Sequence, residues 1–142
     1  MGNKALRLVD KAEPEVRWDQ YPRLEPGEYS AYCKAARWYF DPGYKKWVCL
    51  LLFDIRSENL FSKLGIVPMW FNGGKGSTPH VGRRSRYLPE WIRANGSSPS
   101  RKDRLSPSVF VKRMAKVKID DTDGVLPYSV VRNIIEWNTG VQ

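Results

Sequence analysis

The chain has 142 residues, 42% hydrophobic and 13% aromatic, which is enough apolar mass for one domain with a real core and too much for general disorder. Twenty-four basic residues against fifteen acidic ones give a net charge of +9. Between Gly73 and Lys118 stand twelve basic residues against only Glu90 and Asp103, while the rest of the chain carries twelve basic and thirteen acidic side chains, so the excess charge sits in one third of the length and implies a polyanion or an acidic protein surface as partner.

The longest apolar run, Val48-Cys49-Leu50-Leu51-Leu52-Phe53, is strand-sized and far short of a membrane span. Charge interrupts Ala5-Leu6-Arg7-Leu8-Val9-Asp10 too early for a secretory signal. The opening Met1-Gly2-Asn3-Lys4-Ala5-Leu6 imitates a myristoylation site but has Leu6 where Ser or Thr is required. Cys33 and Cys49 lie in strand-like stretches with no CxxC partner, as reduced core thiols of a cytoplasmic protein do.

Taken in order, residues 1–24 show no clean period and read as a loosely ordered arm that lays a few aromatics on the domain or on a second subunit; a single domain is expected over 25–138. Pro26-Gly27 is a turn, and Tyr29 to Phe40 reads as the first strand. Asp41-Pro42-Gly43-Tyr44 supplies a reverse turn. The second strand, Lys46 to Ile55, has Trp47, Cys49, Leu51, Phe53 and Ile55 on one face and Val48, Leu50 and Leu52 on the other, so cover on both sides is expected. A third strand spans about Leu64 to Phe71, and Pro68 inside it predicts an edge position or a bulge.

Asn72 to Arg86 is a glycine-rich loop, long enough to imply function or disorder. Tyr87 to Gly96 reads as a short helix with Pro89 near its first turn and Gly96 as its stop. A polar, basic loop runs from Ser97 to Pro107. Val109 to Ile119 alternates with period two, placing Phe110, Lys112, Met114, Lys116 and Lys118 on one face. After the turn Asp120-Asp121-Thr122-Asp123-Gly124, the segment Tyr128 to Trp137 fits a helix or a strand, and its β-branched residues favour the strand. The fold expected is mainly β, a five-stranded OB-like antiparallel barrel with one short helix between strands 3 and 4.

Motifs for catalysis are weak. Gly73-Gly74-Lys75-Gly76-Ser77-Thr78 puts its lysine before the last glycine and lies about ten residues from the next helix, unlike a P-loop. His80 is the only histidine, which argues against a Ser/His/Asp or Cys/His centre and against zinc. Asp120 to Gly124 lacks the spacing and terminal glutamate of a calcium loop. No catalytic residue, metal or cofactor is therefore assigned, and a non-enzymatic protein is expected.

What remains is the interleaving of aromatic and basic residues that single-strand binders use, with cations for phosphates and ring faces for bases. On that reading Lys75, Arg83, Arg84, Arg86, Lys112, Lys116 and Lys118 hold phosphates, while Trp70, Tyr87 and Phe110 offer stacking faces. Phe110 qualifies because lysines flank it on what should be the wet face, whereas Trp47, Trp91 and Trp137 are expected in the core.

The layout of Leu24-Glu25-Pro26-Gly27-Glu28-Tyr29, of Lys45 to Ile55, of Phe110 to Ile119 and of Tyr128-Ser129-Val130-Val131 resembles small phage- and plasmid-borne single-stranded-DNA-binding proteins of the OB fold. The resemblance is one of layout over about residues 24–137, and it implies binding of single-stranded DNA in replication, recombination or protection of a mobile element, with homo-oligomers allowed. The close Trp137-Asn138-Thr139-Gly140-Val141-Gln142 lacks the acidic tail of the bacterial single-strand-binding proteins, so recruitment of partners through such a tail is not implied. The alternatives are an RNA-binding OB protein, a protein-interaction or inhibitor module docking its basic face on an acidic partner, and a metal-dependent nuclease.

Overall fold

The computed structural model describes residues 23–59, 62–100 and 104–138. The arm expected over 1–24 lies outside these except for Arg23, whose guanidinium pairs with both carboxylate oxygens of Asp121 at 3.0 Å, and Leu24, whose N–H donates to Ser129 Oγ at 2.8 Å.

Five strands form one antiparallel sheet: β1 Gly27–Asp41, β2 Lys46–Arg56, β3 Lys63–Asn72, β4 Met114–Asp121 and β5 Ser129–Trp137, with helix α1, Tyr87–Asn95, between β3 and β4. The spatial order is β3-β2-β1-β4-β5. β3 is thus an edge strand, and Pro68 is tolerated there because one flank needs no ladder donor. The close of the chain is a strand, as its β-branched residues imply. Gly96 ends α1 at φ 86°, a left-handed cap that costs glycine nothing, and its N–H returns to the Ile92 carbonyl.

β1 holds the sheet together. Its first half, from Gly27 to Tyr32, pairs with β4, and from Ser30 to Asp41 it pairs with β2. A bulge between Cys33 and Ala35 bends the strand where it changes partners. Cys33 at the bulge exchanges backbone bonds with the segment before β4: Lys112 N–H donates to the Cys33 carbonyl at 2.8 Å and Cys33 N–H donates to the Arg113 carbonyl at 2.9 Å.

The curled sheet encloses one core. Cys49, Leu51, Phe53 and Ile55 of β2 are fully buried on the face that alternation assigns to them, facing Val67, Met69 and Phe71 of β3 and Val117 and Ile119 of β4. Trp91 and Trp137 are buried as expected, and Trp47 is half-buried. The opposite face of β2 differs from expectation. Val48 is buried, but Leu50 and Leu52 are half-exposed and no second layer covers them among the described residues, so this face looks outward.

β3 and β5 approach each other, but among the described residues no ladder joins them, and the sheet is not a closed barrel. Rings bridge the gap instead. Phe110 stacks between Phe71 of β3 and Trp137 of β5 at centroid distances of 6.4 and 5.3 Å. Helix α1 then lies along β5: Arg86 donates to the Arg132 carbonyl at 2.8 Å, and Arg93 donates to the Ile134 and Ile135 carbonyls at 2.9 and 2.6 Å. Covering an edge with a helix removes the need to pair it.

The strand expected from Val109 begins five residues later, at Met114. Ser106 Oγ accepts from Ser108 N–H and Pro107 opens a 3-10 turn through Val109, followed by Lys112 at φ 69°. The period-two pattern there is a coincidence of composition. A left-handed residue cannot continue a strand, and this one turns the chain so that it can meet the bulge in β1.

Candidate nucleic-acid interface

The register places three short rows of side chains on the outer face where β1, β2 and β3 lie side by side. Arg37, Leu50 and Trp70 form one row, Tyr39, Val48 and Asn72 the next, and Asp41 with Lys46 the last. These positions alternate with Trp38, Cys49 and Phe71, which point into the core. The turn Asp41 to Lys46 rises at one side of the rows, with Tyr44 among the most exposed aromatics of the described residues. On the other side the loop between β4 and β5 brings Tyr128 against Trp70, edge to face at 6.3 Å. Between these walls lies an open pocket of about 400 Å³ lined by Tyr39, Tyr44, Trp70 and Tyr128, with Asp41, Lys46 and Asn72 as its polar groups.

Cations stand on these rings. The Arg37 guanidinium lies 5.9 Å from the centre of the Tyr39 ring and Lys46 Nζ lies 5.5 Å from that of Tyr44, distances at which the ring quadrupole attracts a positive charge. Lys45 is exposed in the same turn at φ 54°. Aromatic faces beside cations suit a ligand that alternates flat apolar groups with negative charge.

The glycine-rich loop leaves β3 at the pocket's rim. Gly73 N–H donates to the Trp47 carbonyl, Trp47 N–H to the Gly74 carbonyl, and Trp47 Nε1 to the Gly76 carbonyl at 3.1 Å, so its first turn is strapped to the start of β2. A side chain at Gly73 would put its Cβ 2.4 Å from Trp38 Cζ3, and only glycine lets the chain pass under that ring. Lys75, Arg83 and Arg84 are exposed farther along the loop.

The ten residues singled out from the sequence are therefore scattered. Trp70 is half-exposed in the pocket wall. Lys75, Arg83 and Arg84 follow it on the loop. Arg86 is exposed, but one of its nitrogens is engaged by β5. Lys112 is exposed on the turn before β4. Lys116 and Lys118 project from the outer face of β4, where Lys116 Nζ stands 3.8 Å from Glu28 and opposite Glu136, and Lys118 stands opposite Glu28, so acids temper that lysine face.

Tyr87 and Phe110 do not offer stacking faces: both are 0% exposed. Tyr87 packs against Trp38, Phe71 and Phe110, and its hydroxyl donates to the Leu105 carbonyl. Burial raises the pKa of that phenol, with the Cys49 charge adding to the rise. Phe110 follows a helical turn rather than a strand alternation, which is why its lysine neighbours mislead about its direction. Conversely, Tyr39, Tyr44, Tyr128, Arg37 and Lys46 escaped notice. Tyr44 in a hairpin turn and the run Trp38-Tyr39-Phe40, whose members must split between two faces, were the available signals.

Burial pushes the Cys33 and Cys49 thiols up to about 12, which keeps them protonated and unreactive near neutrality. Among the described residues no group of three or more His, Cys, Asp or Glu could hold a metal ion, and no helix is long and apolar enough to cross a membrane. No protein-family model matches the chain and no curated protein is detectably similar to it in sequence, so the chemistry of this face rests on its own residues.

Proposed function

We propose that the protein binds single-stranded nucleic acid, DNA in preference to RNA, on the outer face of β1, β2 and β3, and that it does so without catalysis. The observation that carries this is the aromatic pocket between the β1–β2 turn and the β4–β5 loop, with Arg37 and Lys46 over its rings. OB folds use the face of strands 2 and 3 and these two loops to hold oligonucleotides. An OB-like arrangement is supported by the strand order, by the helix between β3 and β4, and by the approach of β3 to β5. Bases stack on Tyr39, Tyr44, Trp70 and Tyr128, while Arg37, Lys45, Lys46 and Lys75 hold the phosphates, with Arg83 and Arg84 extending the path. A single strand fits this reading better than a duplex, because only unpaired bases present their faces.

The test is a titration of labelled oligo-dT, oligo-rU and duplex at two salt concentrations, read by anisotropy and by quenching of tryptophan fluorescence. Four to six phosphate contacts predict a slope of log K against log salt of about −3 to −4 on a single strand. Trp70→Ala should weaken every single strand by roughly 1–3 kcal/mol with the slope retained, since a stacked base releases no counterion. Failure to bind any nucleic acid would sink the proposal and favour an acidic protein partner. Magnesium-dependent cleavage would refute the non-enzymatic reading.

A further inference from the structure

Stacking walls take any base, but the pocket also holds two polar groups whose orientation the backbone fixes. Asp41 Oδ1 accepts from Gly43 N–H at 2.9 Å and Tyr44 N–H at 3.3 Å, which leaves Oδ2 as an acceptor with no hydrogen bond among the described residues. Asn72 Oδ1 accepts from Gly74 N–H at 2.9 Å. Because only the amide oxygen can accept, this bond fixes the orientation of the amide and leaves Nδ2 as a donor. Both residues line the pocket, beside Lys46.

A carboxylate in a groove for a polyanion lowers affinity wherever it meets phosphate. It adds to binding only where it faces a hydrogen-bond donor, and along a single strand of DNA the available donors are on the bases. Cytosine presents its N4 amino group as a donor beside the N3 acceptor, matching Asp41 Oδ2 and Asn72 Nδ2. Thymine carries the O4 acceptor where cytosine has the amino group, which sets oxygen against oxygen at Asp41. Resting on the reading of this face as a single-strand binder, we propose that the pocket is a base-reading subsite that selects cytosine over thymine through Asp41 as acceptor and Asn72 as donor. The two pyrimidines are equal in size and stack on the same rings, so the difference between them isolates the contribution of the polar edge.

Competition between short oligo-dC and oligo-dT of equal length, at slightly alkaline pH with the full chain, tests this. Oligo-dC should bind at least about fivefold more tightly, the lower end for a specific side-chain-to-base contact. Asp41→Asn keeps an oxygen for the Gly43 and Tyr44 N–H groups but turns an amide donor toward the base, so the ratio should fall to parity or invert toward oligo-dT. Removing a negative charge strengthens binding of both strands, so the readout is the ratio and not either affinity. Equal binding of the two by the wild type overturns the subsite while leaving the single-strand reading intact, and that comparison needs no variant to fold. An unchanged ratio in Asp41→Asn, with its melting temperature preserved, overturns the role of Asp41. Binding of neither strand by the wild type overturns the parent reading and the subsite with it.

Discussion

Replacing Phe110 with alanine separates two accounts of its ring. In the structure the ring is fully buried, stacked 6.4 Å from Phe71 and 5.3 Å from Trp137 and met edge-on by Tyr87 at 5.6 Å. It bridges β3 and β5 where, among the described residues, no ladder does. Truncation removes the apolar transfer contribution and leaves a cavity that the two edge strands cannot close, at a cost of about 3–5 kcal/mol. For a domain of this size that corresponds to a drop in melting temperature of about 10–17 °C. The assay is a thermal melt followed by circular dichroism, beside oligonucleotide titration well below the new midpoint, where affinity should be nearly unchanged. Trp70→Ala should behave in reverse, losing affinity with a small change in midpoint, because its ring is half-exposed on the outer face. A Phe110→Ala protein that melts within about 2 °C of wild type and binds more weakly would refute this assignment of the core, since a buried phenylalanine costs far more.

Gly73→Ala drives a methyl to 2.4 Å from Trp38 and should cost about 1–3 kcal/mol as an overpacked site, measurable by denaturant unfolding. Arg37→Ala combined with Lys46→Ala should flatten the salt slope by about 1.4 if each side chain holds one phosphate, with all sequences weakened alike. Stability should also fall at alkaline pH. The thiols titrate at 9.0 in an ordinary setting and at about 12 here, so between these values the unfolded chain has released protons that the fold retains. Their contribution is complete below about pH 9 and is lost as the pH rises toward 12. Denaturant midpoints measured across that window, compared with those of a Cys33→Ala, Cys49→Ala double variant, would show the decline shrink.

Much of the architecture is legible in the sequence. Alternation in β1 and β2, β-branched residues in the last strand, turn residues at Pro26-Gly27 and Asp41 to Gly43, the Pro89 and Gly96 signals around α1, and Pro68 as an edge marker are local rules. Each depends on a residue's own backbone preference or on a period of two, so the residues themselves determine them. Which residues meet was decided by the tertiary fold. The bulge between Cys33 and Ala35 resets alternation in β1, so Trp38 turns inward against Tyr87 while Tyr39 turns outward to the pocket. Lys112 takes a left-handed φ to reach the bulge, and with it Phe110 enters the core instead of lying among the lysines. Tyr128 meets Trp70 only because the curled sheet brings β5 back toward β3, across 58 positions of sequence. Charge composition located a basic segment, but the segment is spread over a loop, a turn and an acid-tempered strand. A surface forms from residues adjacent in space, and adjacency across strands depends on register and curvature, which no single window of sequence contains.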